Sequence, residues 1–292
     1  MGKENRNTIF VDEGHVHSIR EFPDRQYIMR IEAPKVAATA QPGSFVHVRC
    51  HPKIPMRRPI SLMRVDADAG WIEIYFKVIG DGLAALSDTA IGECVSILGP
   101  IGNGFSANPK SKTQLMIGGG VGIPPMLFLA EHLNSDSTHD WSPVVFMGSE
   151  SPFPFDLRAS DIELSGMPAD AIGCLPEMED CGIPSRLASQ QSYDGVHKGF
   201  VTDLAAAWLR ANPELHASTE IFACGPEPML QAAAKLASEF GIDAQLCLEE
   251  YMACAVGGCA GCAVEVHTAN GTAMKRVCVD GPVFKAREIY LQ

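Results

Sequence analysis

The sequence lacks any uninterrupted apolar run approaching the roughly 18 to 20 residues that cross a bilayer, so no membrane-spanning segment is expected. Its opening, MGKENRNTIF, also lacks the apolar core of a secretory signal, which makes the cytoplasm the expected location. Basic charge is scarce: 23 Lys and Arg stand against 35 Asp and Glu, a net charge of −12, with no run of cations to meet a phosphate backbone. A nucleic-acid partner is therefore not expected. Internal repeats and low-complexity tracts are absent as well. What remains is a chain of 292 residues, 46% hydrophobic and 20% charged, with the length of two compact units or of two and a small appendage.

Ten cysteines stand out against these absences. A reducing cytoplasm argues against a disulfide framework, so metal or redox chemistry is the question they raise. Cys50, Cys94, Cys174, Cys181, Cys224 and Cys247 are scattered, whereas Cys254, Cys259, Cys262 and Cys278 gather near the C-terminus.

From about Asn7 to Phe105 the sequence consists of short alternating runs, among them QYIMRIEA, SFVHVRC and WIEIYFKVIG, separated by Gly, Pro and Asp. That pattern predicts a small antiparallel barrel. SANPKSKT, residues 106–113, is polar and reads as a linker, which puts a boundary near residue 110. Beyond it strands and helices alternate: QLMIGGG, PMLFLAEHL, PVVFMGS, FVTDLAAAWLR, EIFACG and EPMLQAAAKLASEFG. The alternation predicts an open parallel α/β sheet. Residues 151–200, with Pro152, Pro154, Pro168 and Pro176, are expected to hold loops and at least one strand.

The most specific motif is Cys254-x4-Cys259-x2-Cys262 with Cys278 beyond it, the plant-type spacing of four thiolates around two bridged irons. The residues between the first three are Ala, Val and Gly, small enough for backbone to wrap a cluster and donate N–H groups to sulfur. A zinc site is the alternative, although zinc ligands usually come as two C-x2-4-C knuckles. Gly118 to Pro125, GGGVGIPP, follows a strand and precedes a helix, where glycines admit a pyrophosphate to the backbone. Pro124 stands where the last glycine of G-x-G-x-x-G would be, and a bare strand-to-helix turn is the alternative. A second such turn is Cys224-Gly225-Pro226; strand ends of one open sheet line a common crevice, so Cys224 either sits over a bound ring or is a packed free thiol. In Arg57-Arg58-Pro59-Ile60-Ser61 an Arg and a Ser three apart on extended chain can together hold a phosphate and a ring, or serve as ordinary surface residues.

Taken in order, RPIS, KVIGDG, LGPIGNGF, GGGVGIPP, CGPEPML and CAVGGCAGC with VCVDGPVF resemble the ferredoxin-reductase superfamily, and within it the electron-transfer subunits of dihydroorotate dehydrogenase B. The resemblance covers nearly the whole chain. It implies a multi-domain β plus α/β protein: a six-stranded antiparallel FAD barrel over 1–108, an open parallel α/β unit for NAD(H) over 109–245, and a small 2Fe-2S lobe over 246–292. Arg58, Pro59, Ile60 and Ser61 would contact the flavin and its phosphates, and Tyr75, Phe76 and Lys77 would line it. Gly82 and Leu83 match a Gly-Thr pair of the family, from which Leu83 departs by lacking the hydroxyl. Gly119, Gly120 and Gly122 would cradle the pyrophosphate, with Cys224, Gly225 and Pro226 near the nicotinamide. Cys254, Cys259, Cys262 and Cys278 match the cluster ligands one for one. The surplus length relative to the family is assigned to 151–200.

The resemblance implies an NAD(P)H-linked oxidoreductase subunit that passes electrons between NAD(H), FAD, the cluster and an FMN-containing dihydroorotate dehydrogenase, with which it forms a heterotetramer. Another redox partner, such as a hydrogenase, a ferredoxin:NADP transhydrogenase-type complex or an oxygenase, is the alternative, since reductase modules are reused. A redox-sensing module without turnover, or a zinc-clipped nucleotide-binding domain, is a further one. Glu150, after PVVFMGS, would repel a 2′-phosphate and favours NADH over NADPH, unless Arg158 folds back onto it.

Overall fold

The computed structural model describes residues 8–290. The residues at the start of the chain on which the absence of a leader was read lie partly outside that range. Six strands close into an antiparallel barrel in the order β1-β2-β5-β4-β3-β6: β1 (Phe10–Phe22), β2 (Gln26–Glu32), β3 (Phe45–Arg49), β4 (Arg58–Asp66), β5 (Trp71–Lys77) and β6 (Cys94–Ile101), with short helices α1 (Pro34–Ala37) and α2 (Gly80–Ser87) between them. Alternation decides which residues fill it. Val46, Val48, Ile60, Leu62, Ile72, Ile74 and Phe76 share one core inside the barrel, so the residues between them on each strand face outward.

The second unit is a seven-stranded sheet flanked by helices. Its elements are β7 (Thr113–Gly119), α3 (Ile123–Ser135), β8 (Ser142–Gly148), β9 (Arg158–Ala159), β10 (Gly173–Cys174), α4 (Pro176–Asp180), β11 (Ser185–Ser189), β12 (His197–Lys198), α5 (Val201–Ala211), β13 (Thr219–Cys224), α6 (Glu227–Phe240) and β14 (Asp243–Cys247). The order β12-β11-β8-β7-β13-β14 is parallel throughout. Helices α5 and α6 cover one face, and α3 covers the other. The chain winds outward from β7 in one direction and from β13 in the other, so the crevice of the sheet opens at their carboxyl ends. The irregular region is the hairpin β9–β10, α4, β11 and β12 joined by loops. Its Phe153, Phe155, Leu157 and Leu175 pack with Ile28, Met63 and Tyr75 on the outer face of the barrel.

The C-terminal segment adds the hairpin β15 (Ala263–Thr268) and β16 (Gly271–Arg276), then α7 (Val277–Asp280), β17 (Val283–Lys285) and α8 (Ala286–Ile289). This segment is tied to both other units. β14 runs across residue 246, and β17 joins it antiparallel as the last strand of the sheet. Asn103, just after β6, ties the same segment to the barrel: its backbone N–H donates to the Gly281 carbonyl at 2.6 Å and its side-chain amide to those of Val279 and Asp280. Among the described residues no helix is long and apolar enough to cross a membrane.

Candidate functional site

The crevice is built from strand ends held in register. Cys224 of β13 stands opposite Gly118 of β7 on one side and Cys247 of β14 on the other. The two turns that follow β7 and β13 interlock: a Cβ on Gly122 would overlap the carbonyl of Cys224, and one on Gly119 would meet the Met229 sulfur at 2.5 Å. Those two glycines are therefore required for turn-to-turn packing, quite apart from any ligand. Gly120 differs, with φ +54° and open space where a side chain would go. Pro124 and Pro125 occupy the first turn of α3 and carry no N–H, so amides for an anion here come from the glycine turn rather than from the helix. The Cys224 thiol is fully buried and pushed well above its ordinary pKa, first by the adjoining Cys247 thiol and then by burial. Cys247, read from sequence as packing alone, thus belongs to the crevice; only strand pairing could have revealed it.

On the barrel the two arginines separate. Arg57 donates to the carbonyls of His47 and Ser96 and to the Ser96 hydroxyl, which makes it a brace between strands. Arg58 lies across α2: a Cβ on Gly82 would meet its guanidinium at 3.0 Å. That puts a cation beside the amino end of an eight-residue helix, an arrangement suited to a phosphate. Four residues expected at the flavin divide between the two faces of their strands. Ile60 and Phe76 project into the barrel core, because strand alternation turns them inward, and offer a ligand no side chain. Tyr75 and Lys77 face outward but toward the α/β unit: the Tyr75 hydroxyl donates to Gln26, and the Lys77 ammonium donates to the Ser151 hydroxyl at 2.6 Å. Pro59 and Ser61 alternate with inward Ile60 and remain half-buried, and Leu83 packs partly against the barrel core.

The four clustered thiols form two pairs. Cys254 and Cys259 adjoin at the surface, where the Cys259 N–H reaches the Cys254 sulfur at 3.4 Å; Cys262 and Cys278 are buried with their sulfurs 3.4 Å apart. Burial opposes ionisation of Cys254, but the N–H groups of Val256, Cys259 and Gly258 outweigh it and bring its pKa down to about 7. Ala255 and Ala260 adopt positive φ (55° and 54°), a strained choice for non-glycine residues that turns the loop back on itself. Arg276 closes the loop from below by donating to the Gly257 carbonyl at 2.9 Å. All ten cysteines are free. Among the described residues no three His, Cys, Asp or Glu side chains converge on a single-ion position. Two thiol pairs with amides directed at sulfur suit a group wider than one ion, as a two-iron cluster is.

Comparison with known proteins agrees with this geometry. The family model for the iron–sulfur cluster binding domain of dihydroorotate dehydrogenase B matches residues 249–290. Over 280 residues the chain is 33% identical to the electron transfer subunit of dihydroorotate dehydrogenase B (NAD(+)) of Bacillus caldolyticus, covering 94% of this chain and 97% of that one. The chain belongs to that family. The corresponding subunit of Listeria innocua is 33% identical over 93% of this chain and 95% of its own. Among solved structures, the NADH-dependent reduced ferredoxin-NADP oxidoreductase superposes with a TM-score of 0.75 at 24% identity, over 96% of this chain and 90% of that one. The ferredoxin reductase in carbazole 1,9a-dioxygenase gives 0.60 at 20% identity, over 80% and 67%. These two establish the shared barrel and α/β fold, as the family's members would have it.

Proposed function

We propose that the chain relays electrons between NAD(H), FAD, a 2Fe-2S cluster and the catalytic subunit of a dihydroorotate dehydrogenase, in three units over 1–108, 109–245 and 246–292. The observation that carries the reading is the course of β14: its end, Cys247, flanks the crevice thiol Cys224, and the six residues that follow lead directly to Cys254. A hydride site and a cluster site are thereby joined by one short stretch of chain. When bound, a flavin supplies the conversion between two-electron hydride exchange and the one-electron steps of a 2Fe-2S centre.

The residues do the holding. Arg58 neutralises flavin phosphate beside the amino end of α2, with Gly82 leaving room for the guanidinium. Pro59 and Ser61 offer the outer face of β4 to the ring, and Leu83 contributes backbone alone. Gly120 lets pyrophosphate approach the turn after β7, while Gly119, Gly122, Gly225 and Pro226 keep that turn pressed on the next one. Cys224, buried and with its thiol held well above its ordinary pKa, would lie at the floor of the crevice near the nicotinamide. Cys254, Cys259, Cys262 and Cys278 hold the cluster, with backbone N–H groups on the sulfurs. NADH is preferred to NADPH: Glu150 is exposed at the crevice rim, and Arg158 is engaged by Asp180 at 2.5 Å rather than folded onto it. The partner carries FMN, and the two subunits assemble as a heterotetramer.

Anaerobically purified protein is expected to show flavin bands with a broad iron–sulfur shoulder and a rhombic EPR signal on reduction. Colourless protein with stoichiometric zinc would overturn the cluster. Mixed with the dihydroorotate dehydrogenase catalytic subunit of the same source, the chain should bind it, and dihydroorotate should bleach the cluster; failure of either step overturns the partner.

A further inference from the structure

The loop that leaves β8 is held from two sides. On one, the Ser149 N–H donates to the Ala188 carbonyl of β11 at 3.2 Å. On the other it is fastened to the barrel. The Lys77 ammonium, at the end of β5, donates to the Ser151 hydroxyl at 2.6 Å and lies 3.6 Å from Asp24 in the β1–β2 turn. The Gln26 amide, at the start of β2, donates to the Pro152 carbonyl at 2.8 Å and to the Pro23 carbonyl at 2.6 Å, while its oxygen accepts from Tyr75. Gln26, Ser151 and Tyr75 are all buried, so the Gln26 bonds are shielded from competing water, while the Lys77 side chain stays 39% exposed. Between the two anchors stands a single exposed acidic residue, Glu150.

We infer that Lys77 and Gln26 are positioning residues for the dinucleotide: by fixing Ser151 and Pro152 they hold Glu150 at the crevice rim, so the barrel sets the discrimination between NADH and NADPH. The inference rests on the reading of the crevice as a dinucleotide site. It gives the Lys77 ammonium a task in the other unit. The logic is that an exposed glutamate repels a 2′-phosphate only if it stays where the phosphate must go. A loop anchored at one end could swing the carboxylate away at little cost, whereas one anchored on both flanks cannot. Two elements distant in sequence, β5 and the loop after β8, thus share one side-chain contact.

The test is direct binding of NADH and NADPH to the FAD-loaded full-length chain, with flavin stoichiometry measured alongside. Lys77→Met, which keeps the aliphatic stem, is expected to raise NADPH affinity about fivefold, the equivalent of one ordinary hydrogen bond of restraint lost from the loop, with NADH affinity little changed. The NADH-to-NADPH affinity ratio should narrow and the flavin content should stay at the wild-type value. Ser151→Ala should act in the same direction, the double variant should be no worse than the more affected single one, and Lys77→Arg should restore the ratio. Loss of flavin with the affinity ratio intact would assign Lys77 to the flavin and overturn the inference, as would unchanged affinities and ratio in Lys77→Met. Wild-type chain that retains FAD but binds neither nucleotide would instead remove the crevice reading on which the inference rests.

Discussion

Two irregular regions, the cluster loop at 254–262 and the excursion between β8 and β11, satisfy their backbones in opposite ways. The excursion wraps around an anion of its own. Glu179 accepts from the N–H groups of Asp161 and Ile162 at 2.6 and 3.0 Å and from the Ser160 hydroxyl. Arg186 completes the knot by donating to Ser160 and to the Ile162 carbonyl. Both charged side chains are buried, and all their bonding groups but the Arg186 Nε find partners within the protein. The cluster loop holds no internal carboxylate; its amides are aimed at thiols, with Ala255 and Ala260 at positive φ. A loop that supplies its own counter-charge is complete as it stands, and one that directs donors at sulfur is shaped for something the chain does not encode.

The contrast can be broken most directly at Cys259. Replacing this exposed thiol by Ala should lower cluster affinity by more than about a hundredfold, since changes outside the ligand shell already cost 10- to 100-fold. Iron content and the EPR signal should vanish while the melting temperature of the barrel and sheet barely moves. Glu179→Gln should do the reverse, lowering global stability by about 2 kcal/mol as the charge-assisted bonds from Asp161, Ile162 and Ser160 weaken, while the EPR signal stays intact. Burial raises the Glu179 pKa, but the N–H groups and Ser160 outweigh it, so the folded value lies below the ordinary 4.5. Stability from this group is therefore complete above the ordinary value and lost as pH falls through the folded one. Between about pH 5 and pH 3 the wild type should lose more unfolding free energy than the variant. The smallest effect is expected from Ala260→Gly, which relieves about 1 kcal/mol of left-handed strain and should slow iron loss to a chelator. Faster loss would mean that the strain itself holds the amides in place.

Legibility followed the same division. The gathering of thiols was readable because three of the four cysteines lie within nine consecutive residues. The barrel and the alternating α/β unit were readable from periodicity. Arg57 and Arg58 could not be told apart by any local pattern, since one braces strands and the other crosses a helix brought in from 24 positions away at Gly82. Ile60 and Phe76 were expected at the flavin because a motif names residues without saying which face of a strand each takes. Cys247 and Lys77 acquire their neighbours only through pairing across the sheet and across the two units. The excursion stayed opaque because its hairpin strands are two residues long, too short for any periodicity to register.

One consequence of β17 concerns the company the molecule keeps. Without that strand, β14 would be the rim of the sheet: five residues, three of them buried and apolar, with a row of unpaired amides and carbonyls. A bare rim of that kind invites another chain to lie alongside. The three residues of β17 close it, and they follow directly after the last thiol-bearing turn. Cutting away the thiol-bearing segment would therefore do more than remove a redox centre. It would uncover a template for self-association, so the stretch that carries the four clustered thiols also covers an edge of the sheet.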